Sequence, residues 1–378
     1  MKREDAAWMG HSIHTGGFDY RSPWWLPGGN AQTLWAALAA RRHFGPAPRW
    51  QRSRWATPDG DFIDVDRADH PSAPGAPLLV LFHGLEGSSR SQYAVAFADF
   101  AAARGLALAV PHFRGCSGEL NLAPRAYHSG DFREIDWVLK RFAHEHPDRP
   151  MIAAGVSLGG NALLRWAGEM GTEAGAVVRA VAAVCSPLDL AAGGHAIGRG
   201  FNRLVYTRMF LASMVPKALK KLEQHPGLFD SEALLAARDL YEFDNLFTAP
   251  LHGFLNTDDY WSRASAKPLL SSIRVPALAL NARNDPFVPA ASLPTAHEAG
   301  PCVTLWQPEG GGHVGFPVSH GRLGWPGHVR AMPEAVGGWL LQHTPDVPSA
   351  LPPQGATSAA RQSRFRGVPG DSPSATTR

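Results

Sequence analysis

Cysteine is scarce in this chain: Cys116, Cys185 and Cys302 are the three in 378 residues. Three scattered thiols exclude a disulfide framework and a structural zinc site. They fit a reducing compartment, so a cytoplasmic location is expected. Long hydrophobic runs are missing too. The longest apolar-rich stretch, 94–110, carries Asp99 and Arg104, and nothing approaches the roughly 18 uncharged residues of a membrane span. The opening residues, MKREDAAWMGHSIHTGG, hold no continuous apolar core, so no signal peptide is expected. A charge excess of one sign is also absent: 36 basic and 33 acidic residues leave +3. The near-neutral body excludes nucleic acid as the main partner, because phosphate neutralisation needs a basic face. Peripheral contact with lipid and the oligomeric state stay open.

What is present is enough apolar residue, 44% against 18% charged, to build a sizeable core. Residues 1–49 are rich in Trp, Gly and Pro, show no period, and are expected to pack irregularly on the core. Asp59-Gly60 separates 51–57 from 61–67, where Ile63 and Val65 alternate with charged residues, which predicts a β-hairpin. Leu78–Phe82 is an unbroken apolar run, the mark of a strand buried on both faces. Helices are then expected at 91–104, 131–144, 158–170 and 333–343. Further strands are expected at 106–111, 151–156, 178–185, 275–281 and 303–307. Alternating strands and helices imply an α/β fold with a mainly parallel central sheet flanked by helices. The core is expected at 50–187 and 273–344. The interval 188–272 lacks a convincing strand, so it predicts a helical cap inserted late in the sheet, with one helix ending at Pro216. The tail 345–378, rich in Pro, Ser, Thr, Arg and Gly, is expected to be disordered.

The strongest chemical signal is Gly155-Val156-Ser157-Leu158-Gly159-Gly160, which ends a predicted strand and opens a predicted helix. That context gives the G-x-S-x-G pattern its meaning: a sharp turn lifts the Ser157 hydroxyl clear, beside the free N–H groups of a helix start. A serine needs a base and an acid to orient it. Asp285 and His313 each follow a late predicted strand, in the chain order Ser, Asp, His. Three glycines, 310–312, would let the imidazole approach Ser157. Among 17 histidines, His83 and His112 precede the serine, and His320 and His328 lack the glycine approach. Asp189, just past the strand ending at Cys185, is the alternative acid. The oxyanion formed on attack needs two N–H donors. Leu158, after the nucleophile, is one. Leu85, in the glycine-flanked loop His83-Gly84-Leu85-Glu86-Gly87, is the other.

These residues resemble the α/β-hydrolase superfamily, and more narrowly its YheT-type branch, which includes phospholipase-like and medium-chain ethyl ester synthase relatives. The resemblance rests on HGLEGSSRSQY from His83, HFRGCSGELN from His112, YHSGD from Tyr127, GVSLGGN from Gly155, TAPLHGF from Thr248, NARNDPF from Asn281 and GGHVGF from Gly311. GGNAQTLW from Gly28 and DGDFIDVD from Asp59 add to it, and the match runs over about 23–343. The family pattern has His where this chain has Asn30. The resemblance implies the triad Ser157, Asp285 and His313, in agreement with the residue-level reading. Arg114 is expected to brace loops, Asp131 to cap a helix, and Cys116 and Cys185 to pack as small residues.

The expected activity is hydrolysis of small-molecule carboxylic esters through an acyl-serine, with short to medium-chain acyl groups implied by the resemblance. This chemistry calls for no metal or organic cofactor. An acyltransferase or ester synthase would use the same intermediate, and the triad does not separate ester from amide cleavage. A non-catalytic binding protein on the same fold is the alternative of another class.

Overall fold

The computed structural model describes residues 17–319 and 327–344. The tail 345–378 and His320 lie outside them. The described chain forms one eight-stranded sheet. Its strands are β1 (Trp50–Ala56), β2 (Phe62–Ala68), β3 (Leu78–Phe82), β4 (Ala107–Pro111), β5 (Met151–Val156), β6 (Ala180–Val184), β7 (Ala277–Leu280) and β8 (Val303–Trp306). The spatial order is β1-β2-β4-β3-β5-β6-β7-β8. The hairpin β1–β2 and the pair β2–β4 are antiparallel, and the remaining pairs are parallel.

The two-residue period of a strand explains the layers. Leu78, Val80 and Phe82 point into one core and Leu79 and Leu81 into the other. The first core is covered by α3 (Phe132–Glu145) and α4 (Leu158–Met170). The second is covered by α2 (Gln92–Arg104) and α8 (Ala331–Leu341). Burial of each such apolar side chain stabilises the sheet by about 1.5–3 kcal/mol. At the start of α3 the Asp131 carboxylate accepts the Glu134 N–H at 3.4 Å, a helix cap.

Two expectations are corrected. The segment before residue 50 contains a regular helix, α1 (Gly28–Leu38). Its buried side is Gln32, Thr33, Trp35 and Ala36. Half of that face is polar, so no apolar period marks it. Between β6 and β7 lie helices with no strand among the described residues, including α5 (Leu190–Ile197), α6 (Arg208–Gln224) and α7 (Thr257–Ala264). Here α6 runs through Pro216 instead of ending there. An interior proline costs about 3 kcal/mol, and contacts beyond it hold the helix. The buried Lys221 ammonium donates to the carbonyls of Asn121 and Ala123 and to Gln224 Oε1. Burial draws the pKa of Lys221 down to about 8.

The turn between β1 and β2 is tied to the sheet end by a buried ion cluster. Arg114 donates to Asp61 Oδ2 at 2.7 Å, to Asp59 Oδ2 at 2.8 Å and to Glu134 Oε2 at 2.6 Å. Asp61 also accepts from the Asn121 amide and the Leu122 and Phe62 N–H groups. Burial by itself would raise the Asp61 pKa. The four donors outweigh it and bring the value from 3.8 to about 2. A carboxylate with a depressed folded pKa stabilises above its unfolded value and loses that contribution as pH falls through the folded one. Asp61 therefore adds roughly 2 kcal/mol at neutral pH, lost between about pH 4 and pH 2. Urea titrations across that window should show Asp61→Asn less stable at pH 7 and less steeply destabilised by acid than the parent.

Candidate active site

Ser157 sits where β5 turns into α4. Its backbone is held at φ 53° and ψ −118°, a left-handed region that a non-glycine residue occupies only when its surroundings enforce it. The enforcement is local. Ser157 N–H donates to Val184 O on β6 at 2.8 Å, and Ser157 O accepts from the Gly160 and Asn161 N–H groups. A Cβ on Gly159 would lie 2.4 Å from His83 O, so the turn closes only with glycine there.

The structure brings Ser157, Asp285 and His313 together. His313 Nε2 lies 3.0 Å from Ser157 Oγ, and His313 Nδ1 lies 2.9 Å from Asp285 Oδ2. The Asp285 side chain is fully buried, and its Oδ1 accepts from the Phe287 and Val288 N–H groups at 2.8 and 3.3 Å. With Nδ1–H donated to the carboxylate, Nε2 is the acceptor facing the serine hydroxyl. The His313 ring meets Asp285 and not Asp189, whose side chain caps α5 by accepting the Ala192 N–H at 3.0 Å. His83 is buried, donates from Nδ1 to Gly84 O and accepts the Phe113 N–H at Nε2. Burial lowers its pKa to about 3. His112 pairs with Asp66 at 2.9 Å.

Leu85 and Leu158 line the same pocket as Ser157 and His313. Neither N–H has an acceptor among the described residues. The pocket runs beneath α5 and α6 and is lined mostly by apolar side chains, including Leu190, Ile197, Met214, Phe243, Phe247 and Trp261. Its volume is about 160 Å³.

A family model described as "alpha/beta hydrolase fold" matches residues 77–319. The chain belongs to the alpha/beta hydrolase family. Its similarity to "Putative esterase YheT" of Escherichia coli (strain K12), 39% identical over 279 residues, 73% of this chain and 81% of the relative, makes it an alpha/beta hydrolase of YheT type. It is 28% identical over 300 residues to "Phospholipase ABHD3" of Homo sapiens, covering 77% of this chain and 72% of that one. It is 30% identical over 267 residues to "Medium-chain fatty acid ethyl ester synthase/esterase 2" of Saccharomyces cerevisiae, covering 64% and 58%. Among solved structures, the Pyrococcus furiosus esterase Pf2001 aligns with a TM-score of 0.49 at 15% identity, over 78% of this chain and 92% of that one.

Two supports of this alpha/beta hydrolase site escape the sequence reading. The first is α1. Gln32 Oε1 accepts the Gly311 N–H at 2.8 Å and the Asn284 amide at 3.0 Å. Asn284 Oδ1 in turn accepts the Gly312 N–H, and Thr33 Oγ1 accepts the His313 N–H at 2.8 Å. One helix thus fixes the loops carrying both Asp285 and His313. The glycines before His313 serve this contact more than ring motion: a Cβ on Gly312 would lie 2.7 Å from Gly29 O. Asn30 Oδ1 accepts from Tyr206 of the segment between β6 and β7 at 2.9 Å, which gives the departure from the family pattern a contact. The signal was present in GGNAQTLW, as a Gln-Thr pair with no apolar alternation to advertise a buried face.

The second support is Glu86, next to Leu85 and itself at φ 57°. Its carboxylate accepts from Tyr127 Oη at 2.9 Å and pairs with Lys217 of α6 at 2.8 Å. Its N–H donates to the same tyrosine oxygen at 3.0 Å. Cys185 does more than fill space, since its Sγ accepts the Val314 N–H at 3.2 Å behind the histidine loop. The ligand atoms of Cys185, Asp285 and His313 lie within 4.8 Å of one another, and each is engaged in the bonds above. Replacing Gln32 by Leu would leave the buried Gly311 N–H and the Asn284 amide without their acceptor. Chemical denaturation of Gln32→Leu should report a loss of about 1–3 kcal/mol; an unchanged unfolding midpoint would contradict the bracing role.

Proposed function

We propose that this alpha/beta hydrolase is a serine esterase cleaving short to medium-chain acyl esters through an acyl-serine. The observation that carries the reading is the continuous bridge from Asp285 through His313 to Ser157 Oγ, with contacts of 2.9 and 3.0 Å. His313 Nε2 takes the hydroxyl proton as Oγ attacks the ester carbonyl. Asp285 holds the imidazole in the correct tautomer and stabilises the imidazolium that forms. The Leu85 and Leu158 N–H groups, without an acceptor among the described residues, receive the developing oxyanion. Each such donor is typically worth about 2.7–4 kcal/mol of barrier. His313 then protonates the leaving alcohol. In the second half it draws a proton from the water that attacks the acyl carbonyl, then returns that proton to Ser157 Oγ as the acid leaves.

The mainly apolar lining favours an acyl chain over a polar one. A cavity of about 160 Å³ is close to the roughly 150 Å³ that accommodates benzene, which favours short to medium chains over long ones. Three free cysteines suit a reducing cytoplasm. Ser157→Ala should cut kcat on a short-chain p-nitrophenyl ester by at least about 10³-fold while folding normally by circular dichroism. A folded alanine variant with the parent rate would sink the assignment.

A further inference from the structure

The helical stretch 200–224 has two faces. Its inner face lines the pocket with Phe210, Met214, Lys217 and Ala218. Its outer face leaves Phe201, Leu204 and Met209 half exposed or more, at 50%, 59% and 57%. These three form one stripe. A regular helix would put the next member after residues 201 and 204 at residue 208. The π-helical turn Arg203–Thr207 adds one residue, which shifts that member to Met209. Interleaved with them are Arg199, Arg203 and Arg208, all exposed. No salt bridge holds any of the three among the described residues, although Arg203 stands near enough to Glu242 to help keep that carboxyl below its usual range. From 199 to 222 the chain has no Asp or Glu.

An exposed aromatic-aliphatic stripe flanked by exposed cations is the pattern of a helix lying in a membrane interface. A protein partner would match the stripe as well, but the excess of cations along residues 199–208 selects an extended anionic surface. The position matters. Phe201 packs edge-on to Tyr206, Tyr206 to Phe287, and Phe287 against the His313 ring, with centroids 6.2, 4.6 and 4.2 Å apart. The stripe is therefore three ring contacts from the proposed base.

We propose that the outer face of residues 200–209 seats on an anionic lipid surface, Phe201, Leu204 and Met209 entering the headgroup layer and Arg199, Arg203 and Arg208 meeting its charge. The use of this docking, delivery of lipid esters to the pocket, rests on the esterase reading; the docking itself does not. Co-sedimentation of the full chain with vesicles of phosphatidylcholine alone, or with about 30% phosphatidylglycerol, reads it directly. Binding should require the anionic lipid and weaken in about 0.5 M salt, as the Debye length shrinks. It should fall about five-fold with each of Arg203→Gln and Arg208→Gln, the equivalent of about 1 kcal/mol per cation at an anionic bilayer. Leu204→Ser should lower it about ten-fold. All three variants should keep the parent rate on a soluble short-chain ester. Absence of vesicle binding, or binding indifferent to these substitutions, overturns the proposal. So does self-association without lipid that Leu204→Ser abolishes, since a second copy would then cover the face. Loss of vesicle binding with intact soluble-ester hydrolysis leaves the esterase reading standing; vesicle binding with Ser157→Ala still active would sink the esterase reading alone.

Discussion

A non-glycine backbone at φ 53° is the constraint on which the rest of the site is arranged. Such a conformation costs of order 1–3 kcal/mol. Ser157 keeps it because β5 and β6 fix the chain before it and α4 fixes the chain after it. The hydroxyl that results projects from the sheet end instead of into either core. That end also receives the loop after β3 with Leu85, the loop after β7 with Asp285 and the loop after β8 with His313. In a parallel sheet these loops emerge on one side, as expected of a site at the carboxyl ends of strands.

Strain at one residue demands rigidity around it. Two segments outside the sheet supply that rigidity. From α1 come Gln32 and Thr33, whose oxygens hold the backbone of the acid and histidine loops in register. From α6 comes Lys217, whose ammonium meets Glu86 and so joins the helices over the pocket to the loop bearing Leu85. Lys221, one turn along the same helix, anchors it to the segment after β4. Pocket wall and proposed oxyanion site are thereby parts of one connected arrangement. The outer side of the same helical stretch carries the stripe of Phe201, Leu204 and Met209.

How much of this was legible in the sequence follows from what each signal depends on. Leu78–Phe82 announced a strand because five apolar residues between punctuating Pro and Gly leave little choice. Ser157 announced itself because the glycines around it are a steric requirement that chain pattern records directly. The approach of Asp285 and His313 to Ser157 is foreshadowed by strand ends, chain order and, for His313, the glycines before it. The hidden features depend on polar contacts across long separations. Gln32 touches Gly311, 279 positions away, and no periodicity encodes such a pair. The helix α1 was missed because its buried face is half polar. The continuation of α6 past Pro216 was missed because local proline chemistry gave no hint of the anchoring Lys221. Asp189 is a rival acid by position, and in the structure it caps a helix through Ala192 while Asp285 meets His313.

The central claim is that Ser157 Oγ is the nucleophile activated through His313. The most direct measurement is reaction of the intact protein with a fluorophosphonate, followed by proteolysis and mass spectrometry of the modified peptide. The account predicts one phosphonyl adduct per chain, on the peptide containing Ser157, and its disappearance in His313→Ala. An unmodified protein, or an adduct on a different residue, would contradict it.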